Sequence, residues 1–245
     1  MILVPVLDLK GGQVVHAKAG QRDDYRPLRS VLCPGSDPAA VTRALLGLFP
    51  FKTLYAADLD RIEGSGDNDP ALAAIRGVAR DAEIWAEIWI DGGFASAADV
   101  AAFSAKGLGV PVLGSESLAD NRDFAAVLTS AGPDAVLSLD FSGDRFVGPP
   151  ALLDDTASWP RRVIVMQLAR VGQMGGPDFA RVAAACERAG PRLVFAAGGV
   201  RNLGDLAALR GTGAAGALIA TALHTGAIAA AELKDFDRTK RARLA

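Results

Sequence analysis

Residues 91–115 and 197–221 carry one pattern twice, at a constant offset of 106 residues and without a gap. Gly92-Gly93 stands against Gly198-Gly199, Asp99 to Phe103 against Asp205 to Leu209, Gly107 against Gly213, and Val112 to Ser115 against Leu218 to Thr221. Chance does not easily hold a register that long, so the chain contains a duplicated unit. In each copy an apolar run, Ile84 to Ile90 or Leu193 to Ala197, ends in Gly-Gly. An alanine-rich amphipathic stretch follows, and a second apolar run ends in a small residue plus Ser or Thr. That order is strand, glycine turn, helix, strand, small polar turn, the βαβ unit of a parallel sheet.

Glycines just past a strand let backbone N–H groups approach a ligand closely, and a Ser or Thr at the next strand end adds a hydroxyl. Gly92, Gly93, Gly114 and Ser115 could form one phosphate cup, and Gly198, Gly199, Ala220 and Thr221 a second. A single Gly-Gly is more simply a tight turn. Two in register favour phosphate.

The rest of the chain extends the alternation. Ile2 to Leu7 is continuous apolar sequence ending in Asp8, as expected for a strand covered on both faces. Gln13 to Lys18 can return as a short hairpin, and the polar stretch Ala19 to Pro38 is long enough to be a functional loop. Asp37-Pro38 opens a helix through Leu48. Lys52 to Ala57 is a strand followed by Asp58, and Pro70 begins a helix. A helix near Asp120 to Ser130 precedes the strand Ala135 to Leu139, which ends in Asp140. Leu7-Asp8 through Val15 aligns with Leu139-Asp140 through Val147, so the duplication takes in the whole half. Arg162 to Leu168 and a helix from Pro177 to Ala189 complete the set. Trp85 and Trp89 are expected on outer strand or helix-packing positions, and the polar tail from Lys234 to Arg243 as a solvated end.

Four strand–helix pairs per half make eight, the composition of a (β/α)₈ TIM barrel with a two-fold half-barrel repeat. The expectation is a single barrel, residues 1–245, with half-barrels of roughly 1–130 and 131–245. A doubly wound open sheet is the alternative. The length of 245 residues, half of them hydrophobic, suits one large α/β core. A net charge of −2 gives no basic footprint for nucleic acid. No apolar run is long enough to span a bilayer, and the first residues read as a strand rather than a signal peptide. Cys33 and Cys186, far apart, are expected as free thiols in a reducing cytoplasm. With two histidines a histidine-based metal site is not expected. A monomer is the expectation.

In a barrel the C-terminal strand ends share one mouth. Asp8 and Asp140 end strands one and five, diametrically opposite, with the two cups at strands three and four and seven and eight. The arrangement suits an elongated substrate with a phosphate at each end. Two carboxylates can divide acid and base roles when their surroundings push their pKa values apart. Either aspartate alone would more simply be a helix cap or a loop acceptor. As a repeat-related pair they read as catalytic.

Val6-Leu7-Asp8-Leu9-Lys10-Gly11-Gly12, Ala57-Asp58-Leu59, Gly92-Gly93, Gly114-Ser115, Leu139-Asp140, Gly198-Gly199-Val200 and Ala207-Ala208-Leu209-Arg210-Gly211-Thr212-Gly213 occur in one order. Over essentially the whole chain this resembles the histidine-biosynthesis barrel family, and within it the isomerase branch that acts on phosphoribosylformimino-aminoimidazole carboxamide ribonucleotide (ProFAR). The resemblance implies an Amadori rearrangement, aldose to ketose, without metal or organic cofactor. It implies Asp8 as general base at the sugar C2 and Asp140 as general acid for ring opening, with the two cups holding the two phosphates. Lys10, Arg170 and His16 match basic positions of relatives, as anion contacts or as solvated residues, and Asp58 is expected in a supporting electrostatic role or a structural one. The chain departs from the isomerase pattern at Asp91, Ala95, Met166, Val171, Gln173 and Thr221. A divergent paralogue is implied: one acting on a related phosphorylated substrate, on another substrate in a specialised coenzyme pathway, or a phosphate binder that has lost turnover.

Overall fold

The computed structural model describes residues 1–18, 21, 24–82, 85–118 and 124–242, with side chains through 238. Ala19 of the long loop, Ile84, Asp120 and Arg243, which bound elements expected from the sequence, lie outside the described residues. Strand β1 (Ile2–Lys10) folds back through β2 (Gln13–His16) and β3 (Arg26–Pro27). Then follow α1 (Pro38–Leu48), β4 (Thr53–Asp58), α2 (Leu59–Ile62), α3 (Asp69–Asp81), β5 (Glu87–Asp91), α4 (Ala97–Lys106), β6 (Val110–Gly114) and α5 (Phe124–Ala131). The second half runs β7 (Val136–Ser142), β8 (Arg145–Val147), α6 (Ala151–Asp154), β9 (Arg162–Gln167), α7 (Phe179–Ala189), β10 (Leu193–Ala197), α8 (Leu203–Gly211), β11 (Gly216–Ile219), α9 (Thr221–His224) and α10 (Ala230–Ala242).

Eight of these strands pair in parallel in the order β1, β4, β5, β6, β7, β9, β10, β11. The ring closes where β11 pairs with β1, Ile2 opposite Gly216 and Pro5 opposite Ile219. That closure decides for the (β/α)₈ barrel over the open sheet. The half-repeat holds at the level of register. In the β1–β2 hairpin Asp8 faces Val15, and in the β7–β8 hairpin Asp140 faces Val147.

Local sequence chemistry starts and stops the helices. The Asp37 carboxylate accepts from the Ala40 N–H at 2.8 Å, with Pro38 at the first helical position. Ser96 and Asp99 form a capping box at the start of α4, and Asn202 accepts from the Asp205 N–H at 3.1 Å at the start of α8. Gly107 ends α4 with φ +60°, a conformation that costs a side-chain-bearing residue about 1 kcal/mol or more.

Two buried layers result. Alternate strand residues such as Leu7, Leu54, Ile90, Leu113 and Leu137 face outward and meet the helices. The other set, including Val4, Val136, Ile164, Phe195 and Leu218, fills the barrel interior. Trp89 belongs to the interior, which corrects the outer position expected for it. Its indole packs edge-on against Phe195 at 4.9 Å and donates to Glu87, which also accepts from Arg162. The β5 register, counted from Asp91 at the mouth, turns every second residue inward and so takes Trp89 in. Trp85 is 64% exposed.

The polar tail is part of α10: Lys234, Asp235 and Arg238 are exposed, as expected of a solvated end, while Phe236 is buried with its ring 3.9 Å from the Arg210 guanidinium of α8, and Leu233 just before the tail is fully buried. Among the described residues no helix is long and apolar enough to cross a membrane.

Candidate active site

Strand pairing fixes the geometry of the mouth. Asp8 lies beside Ala57 and Ala57 beside Asp91, while on the far side Asp140 lies beside Met166 and Met166 beside Ala197. These two rows are repeat-related. Asp8 and Asp140 sit on opposite strands and line one cavity, together with Asp91, Glu116, Tyr55, Gly114, Gly198, Gly199, Ala220 and Thr221.

Asp140 is buried at 5% exposure. One carboxylate oxygen accepts from the Ser138 hydroxyl at 2.6 Å and the other from the Glu116 N–H at 3.0 Å. Burial pushes its carboxyl up to about 7. The Glu116 N–H and the Ser138 hydroxyl oppose that rise, and the Asp91 and Glu116 carboxylates add to it. A carboxyl titrating there is half protonated near neutrality and can donate a proton.

Tyr55 was not singled out from the sequence. Its hydroxyl donates to Asp91 at 3.1 Å. Burial, then the negative charges of Asp91, Asp140 and Asp8, hold its phenol well above the ordinary range, so it stays a donor. The available signal was parity: Tyr55 is two residues before Ala57 on a strand, so it shares Ala57's inward face. Glu116 was missed too, because it follows the strand end in a turn where alternation no longer applies.

The other expected site residues divide. Gly114 lies in the cavity wall, where a Cβ would come within 3.3 Å of Asp140 Oδ2 and 3.6 Å of Asp91 Oδ2. A bare glycine lets these two carboxylates approach over it. Ser115 is fully buried; its hydroxyl donates to the Val147 carbonyl at 2.7 Å and accepts from the Asp140 N–H at 2.8 Å. Gly92 and Gly93 line a separate cleft with Arg61, Phe103 and Lys106. A Cβ on Gly92 would meet Arg61 and Phe94 at 2.7 Å.

On the second half Gly198, Gly199, Ala220 and Thr221 all border the cavity. His16 Nε2 lies 3.2 Å from the Thr221 hydroxyl, which brings β2 onto this turn. Arg170 donates to the carbonyls of Gly176 and Pro177 and so shapes the loop leading from β9 to α7. Gly176 N–H in turn donates to the Gly199 carbonyl at 3.0 Å. Lys10 is salt-bridged to Glu63 at 3.0 Å. Asp58 is fully buried at the end of β4, outside the cavity lining, accepting from Asn68 Nδ2 at 2.7 Å, from the Asn68 N–H at 3.0 Å and from the Arg61 N–H at 3.2 Å. Of the positions that depart from the isomerase pattern, Asp91, Met166, Val171, Gln173 and Thr221 line the cavity and Ala95 does not.

The histidine biosynthesis protein family matches residues 2–229. An uncharacterized protein of Methanocaldococcus jannaschii is 30% identical over 239 residues, 93% of this chain and 95% of its own. A 1-(5-phosphoribosyl)-5-((5-phosphoribosylamino)methylideneamino)imidazole-4-carboxamide isomerase of Rubrobacter xylanophilus is 31% identical over 246 residues, 95% of each chain. An isomerase of the same name from Roseobacter denitrificans is 30% identical over 253 residues, 98% of this chain and 100% of its own. With a closed ring of eight parallel strands and a match that runs almost end to end, the chain belongs to the histidine biosynthesis protein family.

Proposed function

We propose that the protein is an isomerase that converts a phosphorylated ribosylamine, an aminoaldose, to the corresponding aminoketose by an Amadori rearrangement, with Asp140 as acid and Asp8 as base. The observation that carries this reading is the placement of these two aspartates on opposite strands of one cavity, with the Asp140 carboxyl lifted to about 7.

In this reading the two carboxyls divide the acid and base work. Protonated Asp140 gives its proton to the ring oxygen as the C1–O bond breaks and the amine lone pair forms a C1=N⁺ iminium. Asp8, as carboxylate, removes the C2 proton, and the C2–H electrons form the C1=C2 enamine. The C2 hydroxyl then loses its proton and C1 gains one, leaving a ketone at C2 and an aminomethyl carbon at C1. C2 is oxidised by two electrons and C1 reduced by two, so the step needs no external redox partner. Tyr55 and Asp91 border the same space. The phosphate is assigned to the Gly198-Gly199 and Ala220-Thr221 turns, whose backbone can approach an anion closely.

Relatives at about 30% identity are named as isomerases of a phosphoribosylamino compound, which supports an isomerase of that substrate class. Incubating the protein with N-(5-phosphoribosyl)amines in D₂O and following the sugar protons by NMR tests the reading. The expected result is ketose formation with deuterium at C1, slowed roughly 10²–10⁴-fold by Asp8→Asn or Asp140→Asn while binding persists. Absence of ketose from every such amine, together with failure to rescue a histidine auxotroph lacking the isomerase, would refute it.

A further inference from the structure

The two copies of the duplicated unit differ where they meet the cavity. In register Asp91 corresponds to Ala197 and Glu116 to Ala222. Strand pairing supports the first equivalence, since Asp91 and Ala197 end the rows that start at Asp8 and Asp140. Both acidic side chains of the first copy line the mouth cavity.

Three hydrogen-bond donors of the first copy are already engaged within the protein, two of them by carboxylates. The Gly93 N–H donates to Asp91 Oδ1 at 3.1 Å, and the Glu116 N–H to Asp140 Oδ2 at 3.0 Å. The Ser115 hydroxyl donates to the Val147 carbonyl. Gly92 and Gly93 open onto a different cleft. A phosphate entering here would have to displace Asp91 and Asp140 from these donors while lying beside their charges. In the second copy the matching turns border the same cavity, and no carboxylate stands at position 197 or 222.

We propose that the site takes a substrate with a single phosphate, seated on the Gly198-Gly199 and Ala220-Thr221 turns, whose other end carries an amine or similar cationic donor facing Asp91 and Glu116. The inference rests on the reading of the mouth as a sugar-phosphate isomerase site and narrows its substrate.

Calorimetric titration with stable sugar phosphates tests it. Wild type is expected to bind ribose 5-phosphate at least as tightly as ribulose 1,5-bisphosphate, and glucosamine 6-phosphate about tenfold more tightly than glucose 6-phosphate at pH 7. In the double variant Asp91→Ala/Glu116→Ala, which matches the second copy, the amine preference is expected to vanish. Affinity for the bisphosphate is expected to rise about tenfold, while that for ribose 5-phosphate stays within a few-fold. A wild-type preference of about tenfold for the bisphosphate would overturn the inference while leaving isomerase turnover intact. So would an amine preference that survives the double substitution. If no sugar phosphate binds any variant, the isomerase reading falls with it. The wild-type comparisons need no variant, so poor folding of the double variant leaves the inference open to refutation.

Discussion

At the scale of single residues, the Asp140 carboxyl in the mouth is governed by its burial. Asp140 is buried and titrates near 7. Because its folded pKa lies above the ordinary 3.8, the folded state keeps a proton that the unfolded chain has lost between those values. The stability it contributes is therefore complete below pH 3.8 and declines until about pH 7. A rise of about three units corresponds to about 4 kcal/mol at most. Asp140→Asn should thus raise the melting temperature at pH 8, lose that advantage by pH 4, and slow turnover roughly 10²–10⁴-fold. In wild type, kcat/KM should fall as pH climbs past about 7, where Asp140 loses its acid form. A pH–rate profile flat from 6 to 9 would remove Asp140 from the acid role. Tyr55→Phe deletes the donor to Asp91 and should cost about 1.5–3 kcal/mol of stability at pH 7, read by urea denaturation.

At the scale of elements, what positions the mouth is contact between neighbours distant in sequence. A Cβ on Gly172, at φ +69°, would fall 1.8 Å from the Ala17 carbonyl oxygen, so the β9–α7 loop and the chain after β2 touch backbone to backbone. Gly172→Ala should separate them and raise KM for the phosphorylated substrate more than it lowers the melting temperature. An unchanged KM would show that the contact does not shape the site. Helix α10 is also an element, not a fringe: Leu233→Ala should cost about 2–5 kcal/mol with kcat untouched, because the side chain is fully buried between α10 and the barrel. Both contacts mark the limit of what sequence shows. The strand order and the Asp8–Asp140 relation were legible because a repeat in register encodes them directly. Trp89, Tyr55 and the buried face of α10 were not, since each depends on which way a strand or helix is rolled against the closed ring. Lys10 read as a possible anion contact because its partner Glu63 lies 53 residues away. Asp58 could be read two ways until Asn68 and Arg61 were brought to it by the β4–α3 connection.

At the scale of the whole molecule, two buried titrating groups on different elements tilt stability in opposite directions. His224 of α9 is 6% exposed, lies 3.0 Å from the Ser30 hydroxyl through Nδ1, and is pushed down to about 4 by burial and then by His16. Its folded pKa lies below the ordinary 6.5, so between about 4 and 6.5 the unfolded chain binds a proton that the folded chain refuses. Stability from this group is whole above pH 6.5 and is lost as pH falls toward 4. Asp140 slopes the other way across nearly the same window. A depression of about 2.5 units corresponds to about 3 kcal/mol, comparable to the opposing figure for Asp140, so the pair should leave wild-type stability nearly level from pH 4 to 6.5. Removing either group should expose the other. Urea denaturation of Asp140→Asn should show stability falling by about 3 kcal/mol as pH drops from 6.5 to 4, whereas His224→Asn should lose stability as pH rises from 4 to 7. Variants whose stability tracks wild type at every pH would mean that neither group carries its shift in solution. The carboxyl whose charge weakens the fold above neutrality is the one proposed as the acid for ring opening, so in Asp140→Asn the stability curve reads the buried charge and the turnover reads the proposed acid.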